Sequence, residues 1–340
     1  MSGRSALQLG PPPEGYQRLN IYSRVIVDEA RARGIAVEVV DAALGELRLT
    51  YRARSMTTFE SLSELTSAVA FRRCDDKLLT RSVLRRAGLS IPAGRKATFD
   101  QADIGFLGAH GTIVVKPARG EQGWGITVGV TTEDALLEAR DLARTFWPDV
   151  LLEEHRVGDD VRAVVIDGAV VAAAVRRPAV VTGDGRTTVA ELIAQVGRAH
   201  RAKTGATRSD QSTRGDAEPV CLTVLDAGVA GMVRRAGWEP ESVLPPGEIV
   251  VVSPTANVHN GATIDDVTAK VHPALAELAV AAADAVGLPV AGVDLIVDGV
   301  DQPGGTVIEV NEQPGLANHE PHPTAARFID LLFPESASTL

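Results

Sequence analysis

The 340-residue sequence predicts a mixed α/β (α+β) protein, and three observations carry that prediction. A helix-like stretch "IYSRVIVDEARARG" (21–34) runs straight into the strand-like "IAVEVVD" (35–41). The middle of the chain sets strand–loop–strand "GTIVVKPARGEQGWGITVGV" (111–130) before the amphipathic "TEDALLEARDLARTF" (132–146). Near the end, the Ala-rich "KVHPALAELAVAAADAVG" (270–287) precedes the apolar strands "VAGVDLIVDG" (290–299) and "TVIEV" (306–310). Apolar spacing thus switches repeatedly between the helical and the strand period.

Local signals place the other elements. Gly34 is a favourable residue to stop the first helix. "DDKLLTRSVLRRAGLSIPAG" (75–94) puts Leu79, Val83, Leu84 and Ala87 on one helical face, with Asp75 and Asp76 at the start and Gly88 and Pro92 at the end. "DVLLEEHRVGDDVRAVVIDGAVVAAAVRRPAVV" (149–181) reads as strands in hairpin order, turning at Asp167-Gly168. The polar 198–219 segment reads as a mobile loop.

Composition narrows the function. With 45% apolar residues, the chain can bury a core spread over two or three subdomains. A net charge of −10 and a pI near 5.3 argue against nonspecific nucleic-acid binding. Cys74 and Cys221 show no metal-like spacing, the pattern of a reducing compartment. "MSGRSALQLGPPPEG" lacks the apolar centre of a signal peptide and is expected to be a loose tail. No apolar run approaches the ~18 residues of a membrane span. The expectation is a cytoplasmic protein without nucleic-acid or membrane partners.

Two strand-interior acids draw attention. Asp294 interrupts "VAGVDLIV" and Glu309 interrupts "TVIEVN", with Asn311 two positions beyond, on the same strand face as Glu309. If the strands are antiparallel neighbours, three oxygen-bearing side chains converge, as a hard cation such as Mg²⁺ requires. The plainer alternative pairs each acid with a nearby Arg or Lys, or leaves it in water. Such a metal implies a polyphosphate, yet neither a G-x-G-x-x-G nor a G-x-x-x-x-G-K-[ST] motif occurs. Instead Lys116 ends a strand before "PARGEQGWG", where Gly120, Gly123 and Gly125 permit positive φ and let backbone N–H groups close over phosphate. An ordinary hairpin would look similar, and Lys77 alone would be a solvated lysine. In "LLEEHRVGDDVR" a short strand ends at Glu153 and Asp160 follows seven positions later; backbone there could meet an adenine edge and the acid a ribose. An acidic edge loop is the alternative.

Taken together, a helix lysine, Lys-Pro before a glycine-rich loop, E-x(6)-D, and D…E-x-N-x-x-P-G resemble the ATP-grasp family of carboxylate–amine ligases. "RRPAVVTGDGRTTVAELI" (176–193) and "PTANVHNGATIDDVTAKVHP" (254–273) are similar to its cyanophycin synthetase, bifunctional glutathione synthetase and N-acetylglutaminylglutamine synthetase branches. The resemblance runs from about Ile21 to Phe333 and implies an ATP-grasp fold. Its division would be a flexible tail (1–18), an N-terminal α/β domain (19–74), a lid subdomain (75–155), a core carrying metal and acceptor sites (156–335) and a short tail (336–340).

The same resemblance implies roles. Lys77 and Lys116 would hold ATP phosphates under a lid containing Gly120, Gln122, Gly123 and Gly125. Glu153, Glu154 and His155 would flank adenine, and Asp160 would bind ribose. Asp294, Glu309 and Asn311 would hold one or two Mg²⁺ ions, with Mn²⁺ able to substitute. Arg162, Arg176 and Lys116 would act on the transferred phosphate, which guanidinium forks suit physically. Asn257, His259, Gly261 and Gly315 would line the acceptor pocket.

Relatives commonly carry an arginine where Ser253 stands and a glycine where Ala262 stands, which bears on the substrate. The seven histidines read mostly as structural or solvated, with His259 and "NHEPH" (318–322) the candidates for that pocket, and Trp124 either covers the nucleotide or is exposed. The implied reaction is ATP-dependent amide or peptide bond formation between amino acid or peptide substrates, in a homodimer, the first substrate coming from a separate enzyme. A phosphotransferase and a catalytically inactive nucleotide-binding regulator are the rival functions.

Overall fold

In the computed structural model, residues 10–120, 123–204, 225, 227–252, 263–319 and 321–339 are described. Helix α1 (Ile21–Ala32) begins where the Asn20 side chain accepts a hydrogen bond from the Ser23 N–H, and Gly34 takes a positive φ just past its end. It leads into an antiparallel meander of β1 (Ala36–Asp41), β2 (Glu46–Tyr51), β3 (Arg54–Phe59) and β4 (Leu62–Ser63). Of these strands the sequence predicts only the first.

Two helices follow where one was expected, α2 (Ala68–Asp75) and α3 (Lys77–Arg86). Asp76 caps α3, accepting from the Leu78 and Leu79 N–H groups. Thr80 and Leu84 are buried whereas Ala87 is exposed, because the helix ends before Ala87. Strand β5 (Gly94–Lys96), α4 (Gln101–His110), β6 (Ile113–Pro117), β7 (Thr127–Val130), α5 (Glu133–Phe146) and β8 (Val150–Glu154) complete a unit with its own apolar core. Its sheet has the order β5-β8-β6-β7.

The chain then crosses to a second sheet through Gly158, where a Cβ would lie 2.4 Å from the Val297 carbonyl oxygen. For this reason β8 does not pair with the next strand, and the hairpin order expected for 149–181 holds only for β9 (Asp159–Ile166) and β10 (Ala169–Arg177), joined at Asp167-Gly168. After β10 come β11 (Val180–Thr182), α6 (Val189–Thr204), α7 (Ala227–Arg235) and β12 (Ile249–Val251), which bury a separate small core. Residues 198–204 are therefore helical rather than loop, and 205–219 lie outside the described residues.

The chain rejoins the second sheet with β13 (Thr263–Asp266), packs α8 (Pro273–Val286) on it, and adds β14 (Val290–Val297) and β15 (Gly305–Asn311) before α9 (Thr324–Leu332). This sheet has the order β13-β10-β9-β14-β15 and is antiparallel throughout. Strand alternation sorts its two faces. Val161, Ala163, Val293 and Leu295 pack under α8, whereas Val164, Ile166, Ala172 and Val290 share a core with α1, α9 and the N-terminal meander. The N-terminal strands are thus fused to the second sheet through common apolar burial.

Candidate functional site

The face that buries Val164 and Ile166 turns polar at its other end. Counting back by twos from Ile166 gives Arg162 and Asp160, which the period of a strand keeps on one side. Across the sheet Arg162 stands opposite Asp294, which stands opposite Glu309, while Asp160 stands opposite Arg176. The expected adjacency of β14 and β15 is present.

Arg162 meets the Asp294 carboxylate with its Nε and, at 3.0 Å, with its Nη2. Arg176 Nη2 lies 3.0 Å from the other side of the array at Asp294 Oδ2 and 2.7 Å from Asp160 Oδ1. Burial works to lower the Arg176 pKa, but Asp294 and Asp160 outweigh it and raise the value. Asp160 is pushed up, first by burial and also by Asp294, against the pull of Arg176. Gly292 makes this packing feasible, since a Cβ there would sit 2.9 Å from Arg162 Nη1 and 3.2 Å from Pro314. Asn311 donates to the Gly292 carbonyl at 3.3 Å.

The second group of residues comes from the other sheet and from α3. The Lys77 N–H bonds the Ala118 carbonyl, which ties the start of α3 to the loop after β6. Its Nζ reaches Glu309 Oε1 at 2.9 Å and donates to the Gly120 carbonyl at 2.7 Å. Burial alone would raise the Glu309 pKa; Lys77, Lys116 and Arg162 overcome it and hold the carboxyl at about 2. Glu309 is therefore ionised at neutral pH and keeps Lys77 charged against its own burial cost.

Lys116, 5% exposed, lies 2.5 Å from Glu153 Oε2, and the other Glu153 oxygen accepts from Arg81. The Glu153 side chain, expected beside adenine, is instead on these two cations. The backbone N–H groups of Glu154 and His155 bond the Ala93 and Thr112 carbonyls, so neither is a free donor for an adenine edge. The Glu154 side chain accepts from the Ala93 N–H, which lowers its pKa against the effect of burial. Cys74, Lys77, Thr80, Arg81, Lys116, Leu151, Val307 and Glu309 line one crevice between the two sheets.

Gly120, Gly123 and Gly125 all adopt positive φ, as the glycine pattern anticipates. The Trp124 ring packs 6.3 Å from that of Phe146, and a Cβ on Gly125 would lie 2.6 Å from that phenyl ring. Gly315 lies where a Cβ would come within 2.8 Å of Tyr22 and of Asn318. Ser61 holds the preceding Pro314 carbonyl at 2.7 Å, and Tyr22 donates to Asn318 at 3.3 Å. His319 is buried nearby, and burial together with Arg162, His322 and Arg176 lowers its pKa to about 4. Gln122, Asn257, His259, Gly261, Ser253, Ala262 and Cys221 lie outside the described residues.

Three residues escaped sequence reasoning. Arg81 had a signal in hindsight, standing one helical turn after Lys77 on the same face. Tyr22 and Ser61 had none, since the N-terminal elements gave no hint of touching the far end of the chain.

The residues suit a hard cation. Among the described residues no three His, Cys, Asp or Glu side chains gather into a complete metal cage. Asp294, Glu309 and Asn311 supply oxygen donors from adjacent strands, a partial shell of the sort magnesium completes with phosphate oxygens and water. Both acids are now neutralised by Arg162, Arg176 and Lys77, cations that a phosphate chain would compete for.

Comparison with known proteins bears on the family and the fold. A RimK-like ATP-grasp domain matches residues 253–326. The cyanophycin synthetase of Nostoc sp. is 32% identical over 331 residues, covering 93% of this chain and 35% of the relative. The glutathione biosynthesis bifunctional protein of Streptococcus mutans is 28% identical over 326 residues, covering 90% of this chain and 41% of the relative. The chain thus spans about a third of the length of the cyanophycin synthetases it matches. Among solved structures, a bifunctional glutathione synthetase from Pasteurella multocida shares the fold with a TM-score of 0.61 at 24% identity, over 94% of this chain and 45% of that one. Relatives thus align along nine-tenths of this chain, residues 253–326 match a RimK-like ATP-grasp domain, and the fold is shared with a solved glutathione synthetase.

Proposed function

We propose that the protein is an ATP-dependent carboxylate–amine ligase that forms an amide or peptide bond and releases ADP and phosphate. The observation that carries this reading is the meeting of Lys77 and Glu309 at 2.9 Å across the crevice, with Lys116 and Arg162 near enough to help depress the Glu309 pKa. Lys77 on α3, whose Leu84 packs in the core of the second sheet, and Lys116 on β6 of the other sheet face Glu309, an arrangement suited to a bound nucleotide phosphate chain and its divalent ion.

A carboxylate does not condense with an amine in water, because hydroxide is a poor leaving group. Attack of the substrate carboxylate on the γ-phosphorus of ATP gives an acyl phosphate and ADP; the amine then displaces phosphate. Lys77, Lys116, Arg162 and Arg176 hold and neutralise the phosphoryl oxygens, and positioning does most of the work. Asp294, Glu309 and Asn311 would hold Mg²⁺, or Mn²⁺ in its place, supplying charge neutralisation between phosphates. Asp160 serves the ribose once Arg176 turns to phosphate. Residues 75–155 act as the lid over residues 156–335, excluding water from the acyl phosphate.

The substrates in this reading are amino acids or short peptides, in keeping with the names of the relatives, and the acceptor pocket includes Gly315. The protein works as a homodimer in the cytoplasm, without nucleic-acid or membrane partners. No helix among the described residues is long and apolar enough to cross a membrane.

An ADP-release screen over paired amino acids and short peptides with MgATP, followed by mass spectrometry, tests the proposal. A product heavier than its acid by the amine less water supports it. ADP formation without any amine requirement would make the protein a phosphotransferase, and nucleotide binding without turnover on the whole panel would overturn the ligase reading.

A further inference from the structure

Glu153 is 2% exposed and sits between two cations, Lys116 on one carboxylate oxygen and Arg81 on the other. We propose that Arg81 is a positioning residue for the nucleotide: it holds the charge of Glu153 so that Lys116 stays available to phosphate oxygens. The proposal rests on the nucleotide reading of the crevice and goes further by assigning a residue that contacts no phosphate.

Three features of the fold converge on Arg81. Its Nη2 donates to the Pro92 carbonyl at 2.6 Å while its Nη1 holds Glu153, so the guanidinium is anchored from two sides. Gly94 stands directly opposite Glu153 in the β5–β8 ladder. A Cβ on Gly94 would lie 2.6 Å from Arg81 Nη2 and 2.9 Å from the Leu152 carbonyl oxygen. The space a side chain would occupy is filled by the guanidinium instead. Finally, Arg81 follows Lys77 by one turn of α3, so a single helix delivers both a lysine to Glu309 and an arginine to Glu153.

The charge count explains why this matters. Arg81, Lys116 and Glu153 sum to one positive charge, and that surplus draws phosphate. Without Arg81, Lys116 and Glu153 would cancel. Lys116 could then reach phosphate only by abandoning a carboxylate buried out of water with no other partner, which is strongly unfavourable. With Arg81 in place, Glu153 stays compensated when Lys116 turns away. The planar fork of arginine suits this task, since it can keep Glu153 and a backbone carbonyl together.

The test measures ATP binding to the full chain by titration calorimetry, alongside ADP-release kinetics and a thermal melt for folding. Arg81→Met is expected to weaken ATP binding at least about tenfold, equal to about 1.4 kcal/mol, and to act on KM for ATP more than on kcat. Arg81→Lys is expected to fall between wild type and Arg81→Met, because it keeps the charge but loses the fork that holds Glu153 and the Pro92 carbonyl together. The decisive variant is Arg81→Met with Glu153→Gln, in which the carboxylate that would cancel Lys116 is gone; it should recover most of the lost affinity. Should Arg81→Met fail to fold, Gly94→Ala, which displaces the guanidinium without removing its charge, is expected to weaken ATP binding in the same direction. Wild-type affinity in Arg81→Met, or in Gly94→Ala where that variant stands in, would overturn the proposal. So would a double variant as weak as Arg81→Met alone, since Arg81 would then act on nucleotide directly or only on folding. A wild-type protein that binds no ATP would overturn the nucleotide reading itself, whereas wild-type binding with an unresponsive Arg81 series would overturn this assignment alone.

Discussion

Asp294 and Glu309 stand directly opposite each other on β14 and β15, yet different cations hold them: Arg162 and Arg176 hold Asp294, and Lys77 holds Glu309. Two like charges on neighbouring strands repel unless each is compensated. The cations that compensate them here are those that would meet phosphate, so ligand binding and relief of repulsion are linked through the same side chains.

Glu309→Gln should therefore cripple substrate- and Mg²⁺-dependent ADP release, with a loss on the order of 2–4 kcal/mol of transition-state stabilisation, or about thirty- to a thousandfold in rate. Initial-rate measurements across a magnesium series check this. Full turnover in the variant would remove Glu309 from the metal set.

Gly292→Ala places a methyl group where Arg162 Nη1 now lies, 2.9 Å from the position the Cβ would take. Misplacing Arg162 is expected to lower kcat by about tenfold or more, while ATP binding, measured by titration, changes little. Unchanged kcat would show that Arg162 does not need its present position.

Arg176→Ala should also act mainly on kcat. It removes a charge shared by Asp160 and Asp294, leaving the half-buried Asp160 without that partner and the buried Asp294 with Arg162 alone. A rise in KM for ATP with kcat unchanged would place Arg176 on the bound nucleotide rather than on the transferred phosphate.

The pH dependence of stability should carry the mark of His319. Burial first, then Arg162, His322 and Arg176, lower its pKa from 6.5 to about 4, with Asp266 acting the other way. Between these values the unfolded chain binds a proton that the folded one does not, so stability falls as pH drops through this window and is fully present above it. The loss amounts to roughly 3 kcal/mol at most. Urea unfolding at a series of pH values should show this slope in wild type and a shallower one in His319→Asn.

Local chemistry was enough to read much of this protein from its residues. The Asp167-Gly168 turn, the Gly34 helix stop, the positive-φ glycines at 120, 123 and 125, and the pairing of the Asp294 and Glu309 strands follow from backbone torsions and strand alternation, which depend on neighbours in sequence. The clamp of Arg81 and Lys116 on Glu153 did not, nor did the fusion of the N-terminal meander to the second sheet or the tie from Ser61 to Pro314. Those arise only when distant strands become neighbours, because burial removes water from a charge and forces it to choose whichever partner the packing has brought near.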